Sequence, residues 1–446
     1  MIYLISSLIA LVYNRKNSYS VTQFMLWLFL ASSIGAFLVG RQHSWDIESV
    51  LLVIYTTVVL WIIFFSYFNY SKIRITNFRD INNQKLLLFE KYITIAGLVA
   101  VLLEIYIMYR VMGLMLIGMT TVDEFKNGDG SDQTAIYNSV IPHAYLTLCH
   151  FVSPIGYIFL SLHFYYLINE NKKKAIKYIL LSLVLVFHGL IGLSRSITVV
   201  FLLTYTCMFF FVMPMLKKEV RRRFLKVFVI VTVIATSLLM VISNARFSEY
   251  YTKNSKNDAL IDEKEHPVLF SLIDYFVMWN ETGLDYMKLR PDGLVFYGWY
   301  NSSGLPIMIE NKVFGNDKIY EQREKGVEDV IEKHTGSLWW LFQGCVARLT
   351  YEWGYFGTVL FAFLFLLIIK KMSPQKGVLR FRDLLCLPVL LPMGLTFWQG
   401  IGLGGLDVQL GMVYCFIFYS MAKSRRNVVA IKRTPFFIEN TNKGKI

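Results

Sequence analysis

Apolar residues run through this chain in eleven blocks separated by polar tracts. The blocks cover 1–13, 21–39, 48–68, 92–117, 143–167, 178–194, 196–215, 227–243, 355–370, 384–402 and 405–422. Most are about 16 to 25 residues long, enough for a helix to cross a hydrocarbon core of roughly 30 Å. In a bilayer every backbone polar group needs an internal partner, and a helix supplies it. The pattern therefore predicts an all-α polytopic integral membrane protein with about 11 transmembrane helices. The first block is short, but no small-residue cleavage site follows it, so it is expected to be a retained span. One interval stands apart: residues 244–354 separate the eighth block from the ninth.

Composition agrees with the pattern. The chain has 446 residues, 55% of them hydrophobic and 17% charged. Soluble domains carry about 25% charged residues. The net charge of +14 would suit nucleic acid, but the positive residues fall in short tracts between apolar blocks and not on one basic surface. They set orientation instead. Arg15 and Lys16 follow the first block, and Lys72, Arg74, Arg79, Lys85 and Lys91 fill the third gap. Lys172, Lys173, Lys174 and Lys177 fill the fifth, and Lys217, Lys218, Arg221, Arg222, Arg223 and Lys226 the seventh. Lys370, Lys371, Lys376, Arg380 and Arg382 fill the ninth, and the tail is basic as well. Even-numbered gaps differ: 244–337 holds 16 acidic and 11 basic residues. The expected arrangement is one membrane domain over 1–446, with the N-terminus outside and the C-terminus cytoplasmic. Residues 244–354 form a large extracytoplasmic loop between spans 8 and 9, and 423–446 a basic cytoplasmic tail. The five cysteines show no CxxC or zinc-like spacing and read as small buried residues.

The outer segment is too aromatic for a solvated linker, with Tyr250, Tyr251, Tyr275, Phe276, Trp279, Tyr286, Phe296, Tyr297, Trp299 and Tyr300. Stretches 270–279 and 336–344 read as interfacial helices forming a cap on the outer leaflet. Asp274, Glu281 and Asp285 share a face if 270–286 is helical. They face water or bind sugar hydroxyls.

Ionisable residues within apolar blocks need partners. Glu104 and Arg110 lie in the fourth block, His188 and Arg195 in or at the end of the sixth, and Arg246 follows the eighth. Arg110, Arg195 and Arg246 stand 18, 17 and 19 residues past the cytoplasmic ends of their blocks. At 1.5 Å per residue that is about 26 to 29 Å, near the outer boundary. Arg348 reaches the same level from the other chain direction. Each arginine snorkels to headgroups, pairs internally (Arg110 with Glu104), or holds an anion. A guanidinium suits phosphate because its planar donors match the oxygens and it stays charged. His334 can accept a hydroxyl proton. Glu352 caps a helix or orients a neighbour, and Gly354 and Gly357 permit close approach.

With these features the sequence resembles the Wzy-type bacterial repeat-unit polymerases of O-antigen and capsule synthesis. The resemblance covers most of the chain. It rests on the many spans, the basic tail, SRS (194–196), the late outer loop, NARFSEYY (244–251) and HTGSLW…YEWGYFG (334–357). The last stretch also resembles the His-to-Glu-x-Gly-x-x-Gly region of O-antigen ligases, with Thr335 where those commonly have Asn. The family implies location in the bacterial cytoplasmic (inner) membrane. It implies transfer of a growing glycan from an undecaprenyl-diphosphate-linked oligosaccharide donor to the terminal sugar of another lipid-linked unit. Arg195 and Arg246 resemble the arginines that would steady the diphosphate, assisted by Arg110 or Arg348, and His334 resembles the ligases' loop histidine. His334 is then the expected base and Glu352 its orienter or substitute, with Asp274 and Glu281 as sugar contacts. No Asp-x-Asp pattern occurs among the outer elements, so the expectation is a reaction needing no cofactor, metal or sugar nucleotide. Expected partners are the two lipid-linked substrates, membrane lipids and a chain-length regulator, with no nucleic acid. Competing readings are a glycan ligase and a lipid-linked oligosaccharide flippase or other transporter.

Overall fold

The computed structural model describes residues 2–17, 19–40, 46–71, 75, 77–79, 83–116, 141–191, 195–226, 229, 233, 261, 267–290, 293–297, 304–310, 333, 343–400, 405–421 and 428–430. The described chain is mostly helical. Among the described residues, six helices are long and apolar enough to cross a membrane: Val21–Leu38, Ile47–Phe65, Leu86–Val111, Thr147–Ile168, Ile197–Met215 and Gly344–Met372. Ile2–Tyr13 and Leu406–Ser420 are apolar but shorter. The helices present apolar side chains outward as well as inward. Phe356 is 83% exposed and Leu367 58%, which suits lipid contact and not water.

In chain order the N-terminal helices are α1 (Ile2–Tyr13), α2 (Val21–Leu38), α3 (Ile47–Phe65) and α4 (Asn83–Leu116). The central ones are α5 (His143–Val152), α6 (Gly156–Ile168), α7 (Lys172–Ser182), α8 (Val184–Ile191) and α9 (Arg195–Val212). The outer segment supplies α10 (Pro267–Val277), α11 (Trp279–Lys288) and α12 (Gly304–Ile309). Then follow α13 (Gly344–Met372), α14 (Phe381–Leu390), α15 (Pro392–Leu395) and α16 (Leu406–Met421). The fifth apolar block is α5 and α6 joined by a 3-10 turn over Ser153–Ile155, where Pro154 cannot continue an α-helical ladder. The tenth is likewise broken, into α14 and α15.

Helix starts follow local chemistry. Ser20 Oγ accepts from Gln23 N at 3.0 Å, Asp46 Oδ1 from Ser49 N at 2.7 Å, and Asn171 Oδ1 from Lys174 N at 3.2 Å. Each satisfies a donor that the first turn leaves open.

A small three-stranded sheet departs from the all-α expectation. Strand β1 (Asn77–Arg79) pairs parallel with β2 (Val378–Arg380) and antiparallel with β3 (Val428–Ala430). All three strands come from the third gap, the ninth gap and the tail, which the charge pattern assigns to one side. Other contacts join the same set of gaps. Lys174 Nζ lies 2.8 Å from Glu90 Oε2, Lys217 pairs with Glu170, and Asn69 Nδ2 donates to Ser373 Oγ at 2.9 Å. The outer segment is tied to the second gap and to the nearby ends of the second and eleventh blocks. Lys288 Nζ sits 2.9 Å from Asp46 Oδ2, Ile261 N donates to Leu38 O at 3.0 Å, and Leu305 N to Gln409 Oε1 at 2.9 Å.

The outer segment packs more deeply than a surface cap would. α10 lies on α2, and α11 lies on α3 and α13. Trp279 is 3% exposed and packs against Tyr3, Phe29 and Phe397. Its Nε1 donates to Ser32 Oγ at 3.0 Å, which gives the buried indole the partner it needs. Residues 336–342 lie outside the described residues.

α13 joins two helices across a kink at Gly354, where φ is 69° and ψ 177°. A Cβ at Gly354 would meet nothing closer than 3.8 Å. Conformation, not close approach, therefore explains this glycine, because only glycine populates that backbone region readily. Gly357 does serve close approach, since a Cβ there would fall 2.7 Å from Trp353 Cβ. Gly354→Ala is expected to lower stability by about 1–3 kcal/mol, read as a reduced Tm in detergent. An unchanged Tm would remove the backbone argument.

Candidate functional site

Five helical elements bring polar groups together in one cluster. Glu104 of α4 is fully buried. Its Oε1 accepts from His188 Nδ1 of α8 at 2.8 Å and from the hydroxyl of Ser153 in the 3-10 turn. His188 Nε2 faces Asp407 Oδ1 of α16 at 3.4 Å. The His150 ring of α5 stands nearly perpendicular to His188, with centroids 4.9 Å apart. Isolated charges at this depth are costly, so their convergence is the arrangement that the surroundings demand.

Beside this cluster lies a cavity of about 210 Å³, far larger than the ~10–15 Å³ that one water requires. Its polar lining comes from Tyr157, His188, Thr204, Thr396, Gln399 and Asp407, set among apolar side chains of α6, α8 and α9. Ile197 also lines it, which puts the first turn of α9 at the cavity edge. Gln399 ties the wall to the outer segment, because its Nε2 donates to Tyr275 OH of α10 at 3.1 Å. At the next residue, a Cβ added to Gly400 would come within 2.7 Å of Arg348 Cδ and 2.8 Å of its Nε. The Arg348 side chain thus passes directly over the glycine backbone.

The sequence candidates divide accordingly. Tyr275 of α10 is bonded to the cavity-lining Gln399, and Arg348 of α13 lies over Gly400, the residue after it. Asp274 is fully buried and does not face water, Glu281 is half-buried, and Asp285 is exposed. Arg195 begins α9 two residues before the cavity-lining Ile197, with its side chain outside the described residues. Arg246 and His334 also lie outside the described residues. Glu352 is fully buried and shares a helical face with Arg348, four residues away. Its carbonyl accepts from Tyr297 N at 2.9 Å. Arg110 is exposed and is not the partner of Glu104. Six residues apart, the two point about 120° away from each other around α4.

The sequence alone offers Glu104 only as a partner for Arg110, gives His188 no role, and does not single out His150, Gln399 or Asp407. An ionisable residue inside an apolar block is the signal that finds His150 in 143–167 and Asp407 in 405–422. Nothing local marks Gln399. Chemically, the cluster can hold a proton or a cation, and the cavity beside it can admit a polar group. No family profile matches this chain, and no curated protein or solved structure matches it.

Proposed function

We propose that this chain is a multi-pass glycosyltransferase of the bacterial cytoplasmic membrane. It polymerises undecaprenyl-diphosphate-linked oligosaccharide repeat units on the outer face. About eleven spans place the N-terminus outside and the C-terminus in the cytoplasm. The contacts that join the odd-numbered gaps and the tail to one another support that grouping of loops. The observation that carries the reading is the junction where Arg348 crosses Gly400, next to Gln399 on the cavity wall. It sets a permanent cation next to the wall of a partly polar cavity, at the contact between the spans and the outer segment.

In the proposed reaction the acceptor hydroxyl oxygen attacks the donor's anomeric carbon. A carbon–oxygen bond forms to the acceptor, and the bond to the polyprenyl diphosphate breaks. The leaving diphosphate takes the electron pair, and the hydroxyl proton passes to a base. A single displacement inverts the anomeric centre. Arg195, Arg246 and Arg348 stabilise charge developing on the diphosphate, an interaction that must strengthen toward the transition state. His334 or Glu352 accepts the proton, and Asp274 and Glu281 hold sugar hydroxyls.

Purified protein in lipid nanodiscs, supplied with lipid-linked repeat units, should lengthen them without sugar nucleotide. Arg195→Ala and Arg246→Ala should each slow elongation by about 100-fold or more. No elongation by the natural sequence would overturn the reading, and normal elongation by both variants would overturn the clamp. The buried Glu104–His188–Asp407 cluster favours a second reading, a transporter, since ionisable chains inside spans also serve relays. Accumulation of cytoplasm-facing lipid-linked units in a deletion strain would favour it.

A further inference from the structure

The donor atoms of His150, His188 and Asp407 all lie within 4.8 Å of one another. The three residues come from α5, α8 and α16, and His188 is 38 positions from the first and 219 from the last. We propose that they bind one divalent cation of the Zn²⁺ class, with Glu104 holding His188 from behind.

The argument begins with the imidazole. Glu104 Oε1 lies 2.8 Å from His188 Nδ1. A carboxylate oxygen accepts, so Nδ1 carries the proton. In the neutral ring Nε2 is then a lone pair. That lone pair faces Asp407 Oδ1 at 3.4 Å, and this oxygen is buried without a hydrogen-bond donor. Two acceptors aimed at each other repel unless something positive lies between them. The His188–Asp407 spacing suits a metal, and His150 stands close enough to swing in as the third ligand. Bonds of about 2.0–2.2 Å in a tetrahedron place neighbouring ligand atoms about 3.3–3.6 Å apart.

Charge favours the same answer. Glu104 and Asp407 bring two negative charges into the bundle. A second proton on His188 cancels one of them, whereas a divalent cation cancels both. Burying residual charge among apolar helices is expensive. Nitrogen and carboxylate ligands suit Zn²⁺ and its first-row neighbours better than Mg²⁺ or Ca²⁺. The Glu104–His188 contact supplies the outer carboxylate that metal-bound histidines ordinarily have, fixing tautomer and ring direction.

His188 and Asp407 also line the cavity of about 210 Å³. Three protein ligands leave a fourth position open toward that space, the pattern of a reactive or exchangeable site and not of a closed structural one. The absent Asp-x-Asp pattern bears on metal that grips a diphosphate and does not bear on this histidine site. The inference stands independently of the proposed polymerase activity.

The test measures metal directly. Protein purified without zinc in nanodiscs is equilibrated with Zn²⁺, desalted and assayed for bound metal by mass spectrometry. Co²⁺ provides a second readout through its visible absorption. The natural sequence should retain one Zn²⁺ per chain and give a ligand-field spectrum with Co²⁺. Asp407→Asn and His150→Ala should each weaken binding at least tenfold. His150 is exposed and its ring meets His188 edge-on, so Asp407→Asn serves as the second variant. Glu104→Gln should weaken affinity by roughly 10- to 100-fold. Failure to retain stoichiometric Zn²⁺, or occupancy unchanged in both His150→Ala and Asp407→Asn, would overturn the site and assign the cluster to a proton. Elongation by zinc-free protein bears on the polymerase reading alone.

Discussion

Arg348→Ala is expected to slow glycan elongation by about 10²–10³-fold, the loss typical when one preorganised donor to a developing anion is removed. The expectation comes from position. Arg348 sits on the buried first half of α13, and its stem crosses the Gly400 backbone beside the cavity wall. A permanent cation held there needs little reorganisation when a diphosphate leaves. Arg348→Lys keeps the charge but loses the planar fork, so it should fall between alanine and the natural residue. Gly400→Val supplies an independent check. Its Cβ would occupy space within 2.7 Å of Arg348 Cδ, so the guanidinium must move although it remains present. If Arg348 works through placement, Gly400→Val should reproduce much of the alanine defect. Initial rates over a range of acceptor concentration would separate binding from chemistry. A drop in kcat/KM carried by kcat is expected. Elongation at the natural rate by Arg348→Ala would discard this residue's role.

Asp383→Ala is expected to destabilise the protein by about 3–5 kcal/mol, the scale for removing one partner of a buried ion pair. Asp383 is fully buried at the start of α14. Its Oδ1 lies 2.6 Å from Arg380 Nη2, and its Oδ2 accepts from Arg380 N at 2.9 Å. The carboxylate therefore caps α14 and neutralises Arg380 at the end of β2. Tyr70 OH donates to the Asp383 carbonyl at 3.2 Å and to Met372 O at the same distance. Loss of the carboxylate leaves a half-buried guanidinium uncompensated where α13, β2 and α14 meet. Asp383→Asn keeps the shape and one acceptor and should lose less. Thermal unfolding in detergent would reveal the ordering, with alanine lowest and asparagine intermediate. Equal Tm values for Asp383→Ala and the natural sequence would refute it.

The interior of the outer segment was the least legible part of the fold. Trp279 and Tyr275 look like interfacial aromatics in sequence, because aromatic residues suit both a headgroup boundary and a packed core. Their neighbours from α1, α2 and the end of α15 decide between these, and those neighbours lie more than a hundred positions away. Asp274 illustrates the same difficulty. Its spacing with Glu281 and Asp285 predicts a common polar face. Packing of α10 against α2 buries Asp274, however, while Asp285 stays exposed.

By itself the sequence determined a mostly helical chain with apolar helices long enough to cross a membrane, six of them among the described residues. A helix crossing apolar surroundings must satisfy its backbone within one continuous segment, so block length and loop charge are local properties. Only the tertiary structure decided that Glu104 is held by His188 and not by Arg110, that Asp407 closes the same cluster, and that Arg348 meets Gly400. These contacts join residues 52 to 219 positions apart. Which buried polar group meets which depends on how whole helices rotate and pack together, and no short stretch of sequence records that.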